Sequence, residues 1–323
     1  MSGVVLVTGA GGYVGGRVAE AIARVGWPLR LVTRKTAVLR AAFPSAEIVS
    51  WPERPEPALF DELCRDVQAI VHLAAMNEIE CAQDPERAVL VNTFATLQLL
   101  RAAERRKVQR FIFFSTGHVY GAPLEGTLTE RSLPRPAHPY AITHLAAEEH
   151  VLAAHDRKSI TAVVLRLSNS VGAPLRPDVD RWTLLANDLV RQAVTTGQCV
   201  LRSSGRALRD FIPMSDVCRA VDLFLALPRE SIGDGVFNVG GGCTMPVLEL
   251  TNLIVDRCER SLGFRPKIVR PSGEGEPLPG PLDFCIDKLL ATGFRLTGSL
   301  EVEIDETLAF CQRAFGRPAT GTA

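Results

Sequence analysis

The sequence predicts an α/β fold in which a doubly wound parallel sheet carries a smaller α+β lobe. Three observations predict it. Short apolar, β-branched runs alternate with helix-period segments over residues 4–167. The first run breaks into a glycine-rich turn that opens a helix. After residue 170 the alternation gives way to shorter elements between Pro-, Asp- and Gly-containing loops. Composition agrees, since 323 residues with 46% apolar and 22% charged content can bury a large core.

The elements follow in order. Residues 4–8 (VVLVT) form an unbroken apolar run, as a strand covered on both faces requires. Residues 13–25 carry Val14, Val18, Ile22 and Val25 at helical spacing. Residues 29–33 and 46–50 read as strands, with a helical segment over 35–42 between them. Helix 58–67 leads to strand 69–74, helix 86–106 to strand 110–115, and helix 140–155 to strand 160–167. Beyond the loop 172–181 come helix 182–196, a short strand from Gln198, helix 215–227, strand 236–239 and helix 247–262. Four prolines stiffen the loop 271–282, which reads as a lid or a linker, and a last helix starts near Glu301. The expected division is a first domain of residues 1–170 plus 210–240 and a smaller lobe of 171–209 and 241–323. The last six or so residues read as a disordered tail.

Several function classes are excluded. Lys plus Arg and Asp plus Glu both number 36, so the chain is neutral and lacks the basic blocks of a nucleic-acid or membrane-surface binder. No apolar stretch reaches the roughly 18 residues of a bilayer span, and the apolar start breaks at once into glycines, unlike a signal peptide. The eight Cys are scattered without a CxxC or a Cys/His cluster. They read as reduced thiols of a cytoplasmic protein with no metal site.

Thr8-Gly9-Ala10-Gly11-Gly12-Tyr13-Val14-Gly15 places Gly9, Gly12 and Gly15 between a strand and a helix. The first glycine permits the tight turn, the second lets the backbone approach a pyrophosphate, and the third lets the helix pack closely on the sheet. The helix N-terminus offers free N–H groups to phosphate. The expectation is a bound dinucleotide. At the end of the second strand, Thr33 stands where an acidic residue accepts the ribose 2′-hydroxyl in NAD sites, and Arg34 follows, suited to a 2′-phosphate. NADP(H) is therefore favoured over NAD(H), which stays open.

The glycine spacing resembles the extended short-chain dehydrogenase/reductase family, in its nucleotide-sugar epimerase and reductase branch, and the resemblance runs along essentially the whole chain. His72-Leu73-Ala74-Ala75 looks like the fourth-strand motif beside the adenosine, and Asn92 matches the Asn of the central helix. Ser115-Thr116-Gly117-His118-Val119-Tyr120-Gly121 resembles the fifth-strand motif. Thr116 falls at the catalytic Ser/Thr position and Tyr140 at the catalytic tyrosine. Tyr13 and Val14 in the turn, Ser115, and Leu167 at the end of strand 160–167 complete the cofactor contacts the resemblance implies. Asn169 in Leu165-Arg166-Leu167-Ser168-Asn169 and Arg209 in Arg209-Asp210-Phe211-Ile212 match residues that meet the substrate diphosphate. The fold implied is Rossmann-like, and the implied partner is a nucleotide sugar. A homodimer is implied as well, formed by a four-helix bundle from segments 86–106 and 140–155.

One position departs from the family. A lysine four residues after the tyrosine, on the same helix face, normally lowers the phenol pKa from near ~10 and binds the nicotinamide ribose. Here that residue is His144, which carries full charge only below its own pKa, near ~6.5 unperturbed. Because Thr116 and Tyr140 are kept, the expectation is an enzyme with Thr116, Tyr140 and His144 in the catalytic set. The Asp-Glu pair that 4,6-dehydratases place after the Thr is absent, with Gly117 and His118 there instead. That leaves a 4-epimerase or a 4-ketoreductase. The alternatives are a silent NADP-binding regulator of the same fold and a reductase of a non-sugar ketone. Met76, Asn77 and His118 are expected near the substrate, with Arg202, Arg206 and Arg270 as further cations.

Overall fold

The computed structural model describes residues 3–52 and 55–316. The sequence's expected tail lies outside them. Seven strands form one parallel sheet: β1 (Val4–Thr8), β2 (Leu29–Thr33), β3 (Glu47–Ser50), β4 (Val67–His72), β5 (Arg110–Thr116), β6 (Thr161–Leu167) and β7 (Val236–Val239). Their order is β3-β2-β1-β4-β5-β6-β7, and every pairing is parallel. The order reverses between β1 and β4, and a crevice opens at such a switch point beyond the carboxyl ends of the strands.

Both faces of the sheet are covered. Val5, Val7, Leu31, Val71, Ile112, Phe114 and Leu165 point to one face and join Ile22 and Phe224 in a core. Leu6, Val32, Ile70, Phe111, Phe113 and Val164 point to the other and pack with Leu99 and Val151. That period-two split explains why the strands read as unbroken apolar runs.

The expected helices are present with shifted ends. The helix expected over 58–67 is Pro57–Leu63, since Val67 already starts β4, and 140–155 lie in Pro139–Asp156. The helix expected over 182–196 starts only at Leu185, because Trp182 is drawn out of it by its indole N–H bond to the Pro177 carbonyl at 3.0 Å. The single helix expected over 86–106 is three pieces: Pro85–Ala88, a π-helical turn Val89–Phe94, and Ala95–Arg105. The spacing of residues 86–106 carries no separate mark of this turn.

Short strands were missed. Leu208–Pro213 runs parallel to Asn169–Val171 and antiparallel to Thr244–Pro246. Gly126–Leu128 pairs with Leu282–Phe284, both unforeseen, whereas the strand expected from Gln198 is present as Gln198–Val200 and pairs with the unforeseen Lys267–Val269. The boundary drawn at residue 210 falls inside Leu208–Pro213. A separate apolar cluster gathers Trp182, Leu189, Phe211, Leu250, Ile254, Ile304 and Leu308. All eight cysteines are unpaired, and six of them are buried. Among the described residues no helix is long and apolar enough to cross a membrane.

Candidate active site

A cleft of about 740 Å³ lies at the carboxyl end of the sheet, over the switch point. The glycine turn forms its floor. Gly9 has φ +70°, and a Cβ there would lie 2.8 Å from the Ala74 nitrogen. A Cβ on Gly15 would lie 2.2 Å from the Gly9 carbonyl, so only glycine lets the helix start this close to β1. The helix Tyr13–Arg24 has no side-chain cap and no acidic residue in its first turn. Its free N–H groups face the cleft as an anion site. Val14 lines the cleft beside them. Tyr13 is bolted elsewhere, its hydroxyl donating to the Gly172 carbonyl at 2.9 Å, so it offers its backbone and not its phenol.

The opposite lip is fixed by a directional chain of hydrogen bonds. The Thr8 hydroxyl oxygen accepts from the Leu73 and Ala74 N–H groups, both at 3.2 Å. Its own proton therefore goes to His72 Nδ1 at 2.6 Å. His72 Nε2–H then donates to Thr96 Oγ1 at 2.8 Å, and Thr96 donates to the Asn92 carbonyl at 2.6 Å. Burial and the neighbouring His144 push the His72 pKa down to about 3, so it works as a neutral connector. Leu73, Ala74 and Ala75 line the cleft as a result.

Asn92 is placed differently from its expectation. It sits behind the wall, buried, with Oδ1 accepting from the Met76 N–H at 2.7 Å and Nδ2 donating to Thr143 Oγ1 at 3.0 Å. Asn92 thus ties the strand-four loop to the helix Pro139–Asp156. Thr33 and Arg34 line the far end of the cleft. Thr33 Oγ1 accepts from the Lys35 N–H at 3.0 Å, and Arg34 is exposed.

Thr116 ends β5, and its hydroxyl accepts from the His118 N–H at 3.2 Å. Thr116, Tyr140 and His144 all line the cleft. Tyr140 packs against Met76, Cys81 and Ala88. Burial pushes its phenol well above the usual tyrosine range, Glu78 adds to the rise, and Arg181 opposes it. The His144 ring lies 4.2 Å from the Tyr140 ring, centroid to centroid. His144 Nδ1 is 2.8 Å from the Tyr140 carbonyl, and since a carbonyl only accepts, Nδ1 carries the proton. Burial lowers the His144 pKa to about 4 despite that bond and Glu78. At neutral pH His144 is therefore uncharged, with a lone pair on Nε2.

Ser115 lines the cleft by position, but its hydroxyl donates away from it to buried Glu148. Glu148 also receives Arg166, with Nη2–Oε2 at 2.7 Å and Nε–Oε2 at 3.1 Å. Burial works against the Arg166 charge, but hydrogen bonds and attraction from Glu148 raise its pKa further. Arg166 Nη1 donates to the Tyr120 hydroxyl at 3.0 Å, which donates to Asn238 at 2.6 Å. This network holds the ends of β5 and β6, and so Thr116 and Leu167, in place.

Met76, His118, Leu167 and Asn169 line the cleft. Asn77 does so too, with its side chain capping the helix Glu78–Gln83. Asn169 Nδ2 donates to the Asp210 carbonyl at 3.0 Å. Arg209 is off the lining, half-buried, with no carboxylate in ion-pair distance among the described residues. Burial lowers its pKa, and burial and Arg209 together lower that of His118. Arg202, Arg206 and Arg270 are exposed and away from the cleft. Two lining residues that the spacing did not single out are Glu78 and Arg181, which are ion-paired.

Comparison with known proteins follows this geometry. Residues 5–240 match the model of the NAD dependent epimerase/dehydratase family. A dTDP-glucose 4,6-dehydratase of Streptomyces niveus is 30% identical over 79% of this chain and 77% of its own length. A UDP-glucose 4-epimerase of Azospirillum brasilense is 29% identical over 77% of this chain and 76% of its own. The solved structure of MoeE5 in complex with UDP-glucose and NAD superposes with a TM-score of 0.76 at 25% identity, covering 97% of this chain and 100% of that one. With the glycine cradle, the strand-five Thr and the Tyr140 helix gathered at one switch point, the chain belongs to the NAD dependent epimerase/dehydratase family.

Proposed function

We propose that this enzyme carries out NAD(P)-dependent oxidoreduction at a hexose carbon of a nucleotide-activated sugar, as a 4-epimerase or a 4-ketoreductase. The observation that carries the reading is the shared cleft of the glycine turn, Thr116 and Tyr140. A nicotinamide cofactor supplies the hydride acceptor or donor. The chain's own residues do the rest. The open N–H groups of the helix Tyr13–Arg24 hold the pyrophosphate, and Tyr140 takes or gives the sugar hydroxyl proton with Thr116 orienting that oxygen. His118, Met76 and Asn169 meet the sugar and its diphosphate from the lining, and Arg209, behind it beside Asp210, is the further cation for the diphosphate. Residues 1–170 plus 210–240 form the cofactor domain, and 171–209 with 241–323 the substrate lobe. Turnover of UDP-, dTDP- and GDP-hexoses followed by chromatography tests the reading, and absence of any converted sugar would overturn it.

NADP(H) is the favoured cofactor. Arg34 is exposed at the right end of the cleft, whereas Lys35 is engaged with Asp178 at 3.2 Å. NAD(H) would use the Thr33 hydroxyl instead. Mass spectrometry of the co-purified nucleotide separates the two.

His144 as a neutral group cannot supply the positive charge of a lysine. His144→Lys is therefore expected to stabilise the Tyr140 phenolate and move the acid limb of the oxidation pH–rate profile to lower pH by about 1–3 units. An unmoved limb would show that position 144 does not act on Tyr140.

We further propose a cytoplasmic homodimer built on the helices of segments 86–106 and 140–155. Leu90, Phe94 and Ile142 are 61%, 49% and 48% exposed on these helices, a large apolar presence for a free surface. A Leu90→Glu, Phe94→Glu double variant is expected to sediment as a monomer where the parent sediments as a dimer.

A further inference from the structure

The segment between Asn169–Val171 and the helix Leu185–Thr196 has no part in the proposed reaction, yet it stands in the cleft. Val179, Asp180 and Arg181 line the cleft together with the glycine turn and Tyr140.

The first part of the segment rests on the helix Tyr13–Arg24. Arg17 Nη1 donates to the Ala173 carbonyl at 2.7 Å. Leu175 lies so close to this helix that a Cβ on Gly16 would come within 3.2 Å of the Leu175 Cβ. The segment then folds into a short turn. The Trp182 indole N–H closes the turn on the Pro177 carbonyl at 3.0 Å, and the Arg181 N–H donates to the Val179 carbonyl at 2.9 Å. Val179 is buried in the large core and Trp182 in the separate cluster, so the turn has a firm base.

The turn is bonded to both walls of the cleft. On one side Lys35 Nζ donates to the Asp178 carbonyl at 3.1 Å and to its carboxylate at 3.2 Å. On the other side Arg181 meets Glu78 in bidentate geometry, Nη1–Oε2 at 2.9 Å and Nη2–Oε1 at 3.2 Å. Lys35 follows β2, and Glu78 stands beyond β4. Between β2 and β4 the sheet has one strand, β1, which runs into the glycine turn. Two strand spacings are about 10 Å. A short turn with a lysine reaching to it from one wall and an arginine reaching from it to the other covers that width.

We propose that residues 173–184 form a strap across the cofactor groove, latched by Lys35–Asp178 beside Thr33 and by Glu78–Arg181 beside Tyr140, and that a dinucleotide enters or leaves only when the latches release. The proposal rests on the reading of the glycine turn as a dinucleotide site. The Glu78–Arg181 latch is the less exposed of the two and bidentate, so solvent and salt weaken it less. The strap then sets how long the nucleotide stays, beyond what the pyrophosphate contacts alone provide. A chain that keeps its nucleotide through many turnovers needs the strap latched, and one that exchanges it at every turnover must release it each time.

Stopped-flow exchange on the full chain tests this, with NADH and NADPH as probes. Chasing the bound reduced nucleotide with excess oxidised nucleotide gives the release rate from its fluorescence, and mixing with the free chain gives the entry rate. Arg181→Gln and Glu78→Gln are each expected to speed release about fivefold and to speed entry as well, with Kd moving less than either rate. The double variant is expected to match the singles, because all three open one latch. The two residues carry opposite charges, so a direct pull or push on the anionic nucleotide would move the two variants in opposite directions, and that result would overturn the strap. So would release at the parent rate in both variants, or faster release with entry unchanged or slower, the mark of a lost binding contact. Circular dichroism checks the fold, and a variant that unfolds is replaced by Arg181→Lys or Glu78→Asp, which keep the charge, disturb the bidentate geometry and are expected to speed both rates by a smaller factor. A parent that binds neither nucleotide would remove the dinucleotide reading and the strap with it, whereas binding with unmoved exchange would remove the strap alone.

Discussion

Replacing Tyr140 with Phe is expected to lower turnover of a nucleotide sugar by about 10²–10⁴-fold while NAD(P) binding stays at the parent level. The substitution removes one oxygen and little else. The ring keeps its packing on Met76, Cys81 and Ala88. His144 keeps its bond, because it donates to the Tyr140 backbone carbonyl and not to the phenol. The glycine cradle, proposed to hold the pyrophosphate, is on another element. Steady-state rates with a converted hexose, alongside titration of bound NAD(P)H fluorescence, check both halves. Turnover near the parent rate would remove Tyr140 from the acid/base role.

The largest effect on stability is expected from Arg166→Met. Glu148 is fully buried, and the substitution leaves its charge without a partner. Breaking a buried ion pair from one side costs about 3–5 kcal/mol. Urea unfolding should show a lower midpoint at unchanged slope. Adding Glu148→Gln to Arg166→Met should recover a large part of the loss, because the orphaned charge is gone. A single variant within about 1 kcal/mol of the parent would contradict a desolvated pair. The effect would also reach the cleft, since Ser115 and Arg166, both bonded to Glu148, immediately precede Thr116 and Leu167.

Much of this was legible in the sequence. The large sheet was readable because strands buried on both faces write continuous apolar runs, and Gly9 and Gly15 were readable because no side chain fits at them. Most of the cleft wall followed. Three-residue strands such as Asn169–Val171 carry no periodicity, and their pairing with residues some forty positions away leaves no local mark. Arg181 was illegible for a related reason. It lies in a Pro- and Asp-rich loop among many arginines, and only the separate burial of Val179 and Trp182 gives it a fixed place. His144 was visible as a departure, but its neutrality depends on burial that only the folded chain provides. Asn92 was expected among the cofactor contacts because it matches the Asn of the central helix, but the π-helical turn around it was hidden, so its place behind the wall was not foreseen.

That turn has a consequence for how the molecule can vary. Val89–Phe94 presents Asn92 inward, to the loop that borders the cofactor cleft, and Leu90 and Phe94 outward. The inserted residue sets the rotation of both faces at once. Deleting one residue there would turn the helix by about 100° and move the inner polar anchor and the outer apolar face together. The wall of the cleft and the outer apolar face proposed to join two copies thus share one mechanical part, and neither can drift in sequence without the other.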